Sequence, residues 1–328
     1  MLQADDNSYF QLFPGNIPVN GSNGSIICDV INGNYFQVPD ILGSVLKVNC
    51  SRNYSIGELK LHFNNQYNQG IDQYIHLFTE KEIGYITRNP EFHGNLVLDY
   101  DTPGEVLNAI IEIEDPEEYF LEDILKELEN LGCKEVEFRI YNTAGFEKCI
   151  EVLERFNESS YRSFIVVVQF EDQINDQNLM EILNRNSKIL EIFICESSGN
   201  KVPTNDRIKY IRCNHSLGSS VTSFIINLPF FAESQEYNAS LNKKICISKK
   251  GYIKTYPSHL KDYGNVREQS IGHILKTTDI SDVWRIPNNQ IEICKDCKYR
   301  YICLNFSDIH KKENTYLKTD YCDELWKK

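Results

Sequence analysis

The stretch YFLEDILKELENLGCKEVEFRI, residues 119–140, holds one complete helix-to-strand passage. From Tyr119 to Leu131 the apolar residues return every three or four positions, the spacing of a helix with one buried stripe. Gly132 follows where a left-handed residue closes a helix. Val136 to Ile140 then alternates as a strand does. Upstream, Leu107 to Ile113 is strand-like. Downstream, helical stretches near 145–158 and 176–186 separate the strand candidates Phe164 to Phe170 and Ile189 to Ile194. Repeated βα units predict an α/β fold with a mainly parallel sheet and helices packed on it. The units between 93 and 242 are too few for a closed eight-stranded barrel, so a partial, open βα barrel is expected.

Residues from about 8 to 90 predict a winged-helix-like domain. Ser25 to Val30 and Tyr35 to Val38 are strand-like, with Asn32-Gly33 as the hairpin turn between them. Pro39 opens a helix through Val48. Ser55 with Glu58 three residues later is a capping-box pattern for a second helix through Phe63. Ile71 to Glu80 is a third amphipathic run, followed by strand-like Ile83 to Thr87. Beyond about 240 regular structure thins, as it does where a metal replaces a hydrophobic core. The expected domains are 1–92, 93–242 and 243–328.

That last segment carries the chemistry. Four of the eleven cysteines lie in the final 35 residues: Cys294 and Cys297 as a CxxC, then Cys303 and Cys322. The CxxC loop brings two thiolates to one centre, and the later cysteines complete a four-sulfur set suited to zinc or to an iron–sulfur cluster. No basic n-region or apolar h-region opens the chain, so a reducing cytoplasm is expected, where clustered cysteines point to metal rather than disulfides. No apolar run is long enough to span a membrane. Cys133, Cys149, Cys195 and Cys213 stand singly on apparent helices and strands and are expected to be structural.

Charge is uneven. Residues 1–242 carry 17 Lys and Arg against 36 Asp and Glu, whereas 243–328 carry 17 against 11. An acidic body repels phosphate and removes the term that dominates nucleic-acid affinity, so no nucleic-acid partner is expected. Lys243, Lys244, Lys249, Lys250 and Lys254 form a basic run beside Cys246. The glycine-rich stretch from Gly15 to Gly24 lacks a phosphate-loop lysine, which argues against an ATP-using chain. His259, His273 and His310, with Asp282 or Asp296 near them, show no nucleophile–base–orienter spacing.

Cys294-x2-Cys297-x5-Cys303 with a distant Cys322, within Cys-Lys-Asp-Cys-Lys-Tyr-Arg-Tyr-Ile-Cys, resembles the end of a SPASM domain. The resemblance extends through Phe10-Gln11-Leu12-Phe13, Ile26-Ile27-Cys28-Asp29, Tyr256-Pro257-Ser258 and Asp262-Tyr263-Gly264-Asn265 to the SPASM-domain peptide maturases of grasp-with-spasm systems. It implies one 4Fe–4S cluster on Cys294, Cys297, Cys303 and Cys322, with a single zinc ion as the alternative. The first auxiliary site of that family is dismantled here. Cys246 and Gly251 match its start, but Tyr256 and Ser307 stand where cysteines are expected. No CxxxCxxC triplet occurs, so no S-adenosylmethionine is expected.

The same resemblance implies a maturation factor for a ribosomally made peptide of the graspetide type, partnered by an ATP-grasp ligase and a precursor peptide. The N-terminal domain would capture the precursor as an added strand, with Ile26, Cys28, Val30, Tyr74 and Phe78 as candidate walls and the basic run as a docking surface. The alternatives are a peptide-modifying enzyme in its own right and a zinc-stapled winged-helix regulator.

Overall fold

A computed structural model of the 328-residue chain describes residues 5–90, 96–114, 120–169, 176–196, 205–212 and 223–319. The N-terminal region opens with β1 (Tyr9–Leu12), β2 (Asn16–Gly21), β3 (Gly24–Asp29) and β4 (Asn34–Val38). It continues through α1 (Asp40–Arg52), α2 (Ile56–His62) and α3 (Asn68–Glu80) to β5 (Gly84–Thr87). β2, β3 and β4 form an antiparallel three-stranded sheet with β3 in the middle, and β1 pairs with β5. The capping box at α2 is formed: Ser55 Oγ accepts from the Glu58 amide, and the Glu58 carboxylate accepts from the Ser55 amide. α1 ends at Asn53, which adopts the left-handed conformation that asparagine tolerates better than most residues.

β1 and β2 went unforeseen in the sequence. Tyr-Phe-Gln-Leu is too short for alternation to declare itself, and Pro18 sits in the middle of β2. Proline in a strand signals an edge, and β2 is an edge of its sheet.

The middle of the chain follows the βα alternation, in the order β6 (Asn108–Ile113), α4 (Leu121–Asn130), β7 (Glu135–Ile140), α5 (Thr143–Glu154), β8 (Ser163–Val168), α6 (Asp176–Arg185), β9 (Ile189–Glu196) and β10 (Ile208–Arg212). Gly132 closes the α4 segment at φ +90°. A Cβ there would lie 2.7 Å from Gly104 Cα, so both backbone sign and space demand glycine. The chain then runs through β11 (Ser223–Phe224) and α7 (Leu228–Glu236) to β12 (Lys244–Ile247) and β13 (Ile253–Lys254).

β12 inserts beside β6, giving one seven-stranded sheet in the order β10-β9-β8-β7-β6-β12-β13. Every neighbouring pair is parallel except β12 with β13. The sheet is open, as expected from the number of units, and it continues past residue 242 into the region that carries the cysteines.

Period-two alternation divides this sheet into two chemically different faces. Ile111, Phe138, Val166, Ile192 and Ile245 are wholly buried in one core with Leu125 and Leu128 of α4 and Leu153 of α5. At the alternate positions stand Glu112, Glu137, Arg139, Glu191 and Lys209. Arg139 Nε donates to Glu137 at 2.6 Å, Lys209 pairs with Glu191, and the Tyr141 hydroxyl donates to Glu112 at 2.8 Å.

The rest of the chain is short elements, as expected: α8 (Ile271–Thr277), α9 (Ile280–Trp284), β14 (Cys303–Leu304), β15 (Ile309–Lys312) and β16 (Thr315–Lys318), with 3-10 turns at Asn288–Gln290 and Cys294–Asp296. Among the described residues no helix is long and apolar enough to cross a membrane.

Candidate metal centre

Cys294 begins the 3-10 turn Cys294–Asp296, and Cys297 follows as its C-cap, donating its amide to the Cys294 carbonyl at 3.0 Å. Ile293, just before the turn, holds φ +70°, a conformation that costs a β-branched residue roughly 1 kcal/mol or more. The turn is thus held in shape against local preference. Cys303 stands on β14, opposite Phe224 of β11. Cys297 is buried, and Cys294 and Cys303 are half-buried. Cys322 lies outside the described residues. Among the described residues no three His, Cys, Asp or Glu side chains come together as a metal-ion set.

Two N–H groups nonetheless point at the Cys297 sulfur. The Sγ accepts from the Tyr299 amide at 3.4 Å and from Asn23 Nδ2 at 3.6 Å. The second donor comes from the β2–β3 turn, 274 positions away in sequence. The orientation of the Asn23 amide is fixed by its other end, because Oδ1 accepts from the Lys298 amide at 2.8 Å. A backbone N–H can only donate, so the oxygen must face it and the NH2 must face the sulfur. Soft thiolates on a short turn with N–H groups aimed at the sulfur fit either zinc or an iron–sulfur group.

The hairpin grips this turn at several further points. The Ser22 amide donates to the Asp296 carbonyl at 2.6 Å. Arg300 Nη1 donates to the carbonyls of Asn20 at 2.7 Å and Cys297 at 2.8 Å. A Cβ on Gly21 would lie 2.3 Å from the Lys298 nitrogen, so only glycine permits the approach. Beneath these contacts Val19, Ile26, Cys28 and Val30 form one buried cluster with Phe231, Cys297, Tyr299 and Ile302.

That cluster changes the reading of the candidate peptide walls. Ile26, Cys28 and Val30 face the cysteine loop, whereas Tyr74 and Phe78 pack with Ile27 and Phe10 on the helical side of the same sheet. Alternation along β3 separates the two sets, so they do not line one groove. β3 is also paired on both sides and has no edge to offer. Burial pushes the Cys28 thiol up to about 12, opposed by the nearby Arg300 cation.

The basic run is similarly divided. Lys243 Nζ donates to the carbonyl and hydroxyl of Thr102 at 2.6 and 2.9 Å. Lys244 sits 4.5 Å over the Phe306 ring, and burial lowers its pKa. Lys249 pairs with Glu114 at 3.2 Å and covers the Tyr141 ring, Lys254 is half-buried, and Lys250 is exposed. Five lysines adjacent in sequence therefore have five different surroundings. A strand, alternating by two and then turning, cannot present them as one face.

Cys246 is fully buried, with its thiol pushed well above the usual range by desolvation. Cys133 and Cys149 are buried free thiols, whereas Cys195, expected to stand singly, is buried and disulfide-bonded; Cys213 lies outside the described residues. Tyr256 is buried against Phe306. His259 is 1% exposed. Its ring nitrogens bond to Thr255 Oγ1 at 2.6 Å and to the Phe306 carbonyl at 2.7 Å. A histidine anchored at both nitrogens holds two loops together. Asn23 had no distinguishing mark in the sequence; the nearest hint was the run Gly21-Ser22-Asn23-Gly24, which signals a tight turn.

No protein-family model matches this chain, and no curated protein matches it. Among solved structures it aligns with the crystal structure of Streptococcus suis SuiB at 10% identity, covering 92% of this chain and 94% of that one, with a TM-score of 0.28. The structure of SuiB bound to S-adenosylmethionine aligns at 12% identity over the same shares, with a TM-score of 0.26. Overlap of this quality leaves the fold defined by its own strand order. The chain is an open α/β protein with a cysteine-bearing C-terminal region seated on an antiparallel N-terminal sheet.

Proposed function

We propose that the chain is a non-catalytic maturation factor for a ribosomally made, graspetide-type peptide, carrying one 4Fe–4S cluster on Cys294, Cys297, Cys303 and Cys322. It would present a precursor peptide to an ATP-grasp ligase. The observation that carries this reading is the pair of N–H donors on Cys297 Sγ, one of them supplied by the N-terminal domain. A buried thiol that only packs has no need of two directed donors; a metal thiolate does. Bound there, a cluster would brace loops that have little core of their own.

Precursor capture falls to the N-terminal sheet. Pro18 removes a donor from β2, which blunts that edge, whereas among the described residues β4 is paired only with β3. Tyr35 on β4 meets Phe224 and Tyr299 edge-on, with ring centroids 5.8 and 5.6 Å apart. An extended peptide adding to β4 would gain main-chain hydrogen bonds, with an aromatic wall beside it. Tyr35 and the β4 edge thus replace Ile26, Cys28 and Val30 as the candidate contact.

The test combines composition with activity. Protein purified without oxygen should hold roughly four irons and four sulfides per chain, lost in Cys297→Ala. Precursor peptide and ligase, incubated with ATP, should form links at the expense of one water each, faster with this chain present than without it. One zinc and no sulfide would remove the cluster; link formation indifferent to the chain would remove the maturation role.

A further inference from the structure

The contact between the β2–β3 turn and the cysteine loop has a consequence beyond holding the fold. Asn23 spends both ends of one amide on the loop, the oxygen on the Lys298 amide and the nitrogen on Cys297 Sγ. Ser22 and Arg300 add hydrogen bonds on either side of it. The turn that closes β2 and β3 is therefore part of the immediate surroundings of a candidate ligand sulfur. The same two strands build the sheet whose far edge is β4.

We propose that Asn23 is a positioning residue for Cys297, and that it links the seat of the N-terminal sheet to metal held by the cysteine loop. The inference rests on the reading of that loop as a metal site, but not on the identity of the metal.

The physical argument concerns charge. A thiol accepts an amide N–H weakly, because its sulfur carries little charge. A metal-held sulfur is a thiolate, and hydrogen bonds to an ionised acceptor are about twice as strong as neutral ones. Metal loading thus strengthens the Asn23 bond, and by reciprocity the bond favours the loaded state by the same factor. The coupling needs no movement of large elements. It acts through one side chain across a contact whose backbones already approach as closely as glycine allows at Gly21. An exposed turn offered to solvent would have no such dependence on metal.

Two replacements separate the two roles of the amide. Asn23→Asp keeps an oxygen for the Lys298 amide but removes the donor to sulfur and places a negative charge beside it. Asn23→Ala removes both contacts. If the residue serves only to hold the turn, the Asp variant should behave as the parent does.

The experiment titrates cobalt(II) as the probe into the full chain under reducing, oxygen-free conditions. Binding is followed by the thiolate-to-cobalt absorption and the turn by amide hydrogen exchange. In the parent, cobalt should slow exchange of the amides from Gly21 to Gly24 as well as those of Lys298 and Tyr299. In Asn23→Asp the cobalt affinity should fall about tenfold or more, the usual effect of losing an outer partner of a ligand. The slowing at residues 21–24 should disappear while that at 298–299 persists. Asn23→Ala should fall between Asp and the parent in affinity. A full cobalt–thiolate band with unchanged exchange at residues 21–24 in the parent would overturn the linkage alone. Parent-like affinity in Asn23→Asp would overturn the positioning role. Absence of the band in the parent would overturn the metal site and this inference with it.

Discussion

Tyr256 lies flat on Phe306, with ring centroids 4.4 Å apart and planes 4° from parallel. Its hydroxyl accepts from Arg139 Nη2 at 3.3 Å, and Lys244 covers the other ring of the pair. Arg139 belongs to the charged face of the parallel sheet and is 5% exposed, so the phenol and the Glu137 carboxylate compensate its burial. Phe306 belongs to the loop after Cys303. One stacked pair thus joins the sheet to the cysteine-bearing region, at a position where the family resemblance leads one to expect a cysteine.

Replacing Tyr256 tests how this joint divides its work. Tyr256→Phe keeps the stack and removes the acceptor for Arg139, and should cost about 1–2 kcal/mol. Tyr256→Ala also removes the ring and should cost about 3–5 kcal/mol. Denaturant unfolding measures both. Equal losses would mean that the ring contributes nothing beyond its hydroxyl.

Gly21→Ala should force the β2–β3 turn away from the loop. The new methyl would meet the backbone of Asp296, Cys297 and Lys298 at 2.3–2.7 Å, and backbone cannot rotate aside as a side chain can. A loss of about 1–3 kcal/mol is expected, the range for overpacking. Gly70→Ala is the control, because nothing lies within 4 Å of its added carbon and it sits in α3, where alanine is the better helix former. A stability at or above that of the parent is expected there.

Glu233 gives a pH signature. It accepts from Asn242 at 2.8 Å and also interacts with Tyr100, and desolvation raises its pKa above the usual carboxylate value of 4.5. The folded state therefore binds this proton more tightly than the unfolded chain does. The stabilisation is complete below the unfolded pKa and is lost as pH rises through the folded pKa. Glu233→Gln keeps an acceptor for Asn242 and does not titrate. Its thermal midpoint should lack that descending contribution over the mildly acidic range; parallel curves for parent and variant would show that Glu233 does not couple to folding.

Sequence reading succeeded where one residue sets one local geometry. Gly132, the Ser55–Glu58 pair and the alternation of Val136 to Ile140 each declare their structure within four or five positions. It failed where the deciding partner is distant. Nothing local tells that Ile26 and Cys28 would meet Cys297 and Phe231, or that Ile27 alone of the three would face the helices. His259 carries no local sign of its burial, because the Phe306 carbonyl, 47 positions away, reaches its ring only after the loops fold together. The cysteine spacing was legible as a candidate metal set. The amide that serves Cys297 was not, since an asparagine in a turn already has a sufficient local reason to be there.

The seating of the N-terminal sheet can be followed separately from global unfolding through its buried thiols. Cys28 is enclosed between that sheet and the cysteine loop, whereas Cys246 is enclosed between β6 and β13 in the parallel sheet. Both are fully buried, and burial keeps both protonated near neutral pH, so neither reacts until its surroundings open. Among the described residues no strand pairing joins the two sheets, and regions joined mainly by side chains open below the global free energy. Cys28 should therefore be alkylated sooner than Cys246 in the native protein, with labelled positions read from peptide masses. Gly21→Ala should quicken Cys28 further and leave the parallel sheet closed. If Cys28 and Cys246 are instead labelled at one rate in parent and variant, the two regions open as a single unit, and the hairpin contact is as strong as the core it rests on.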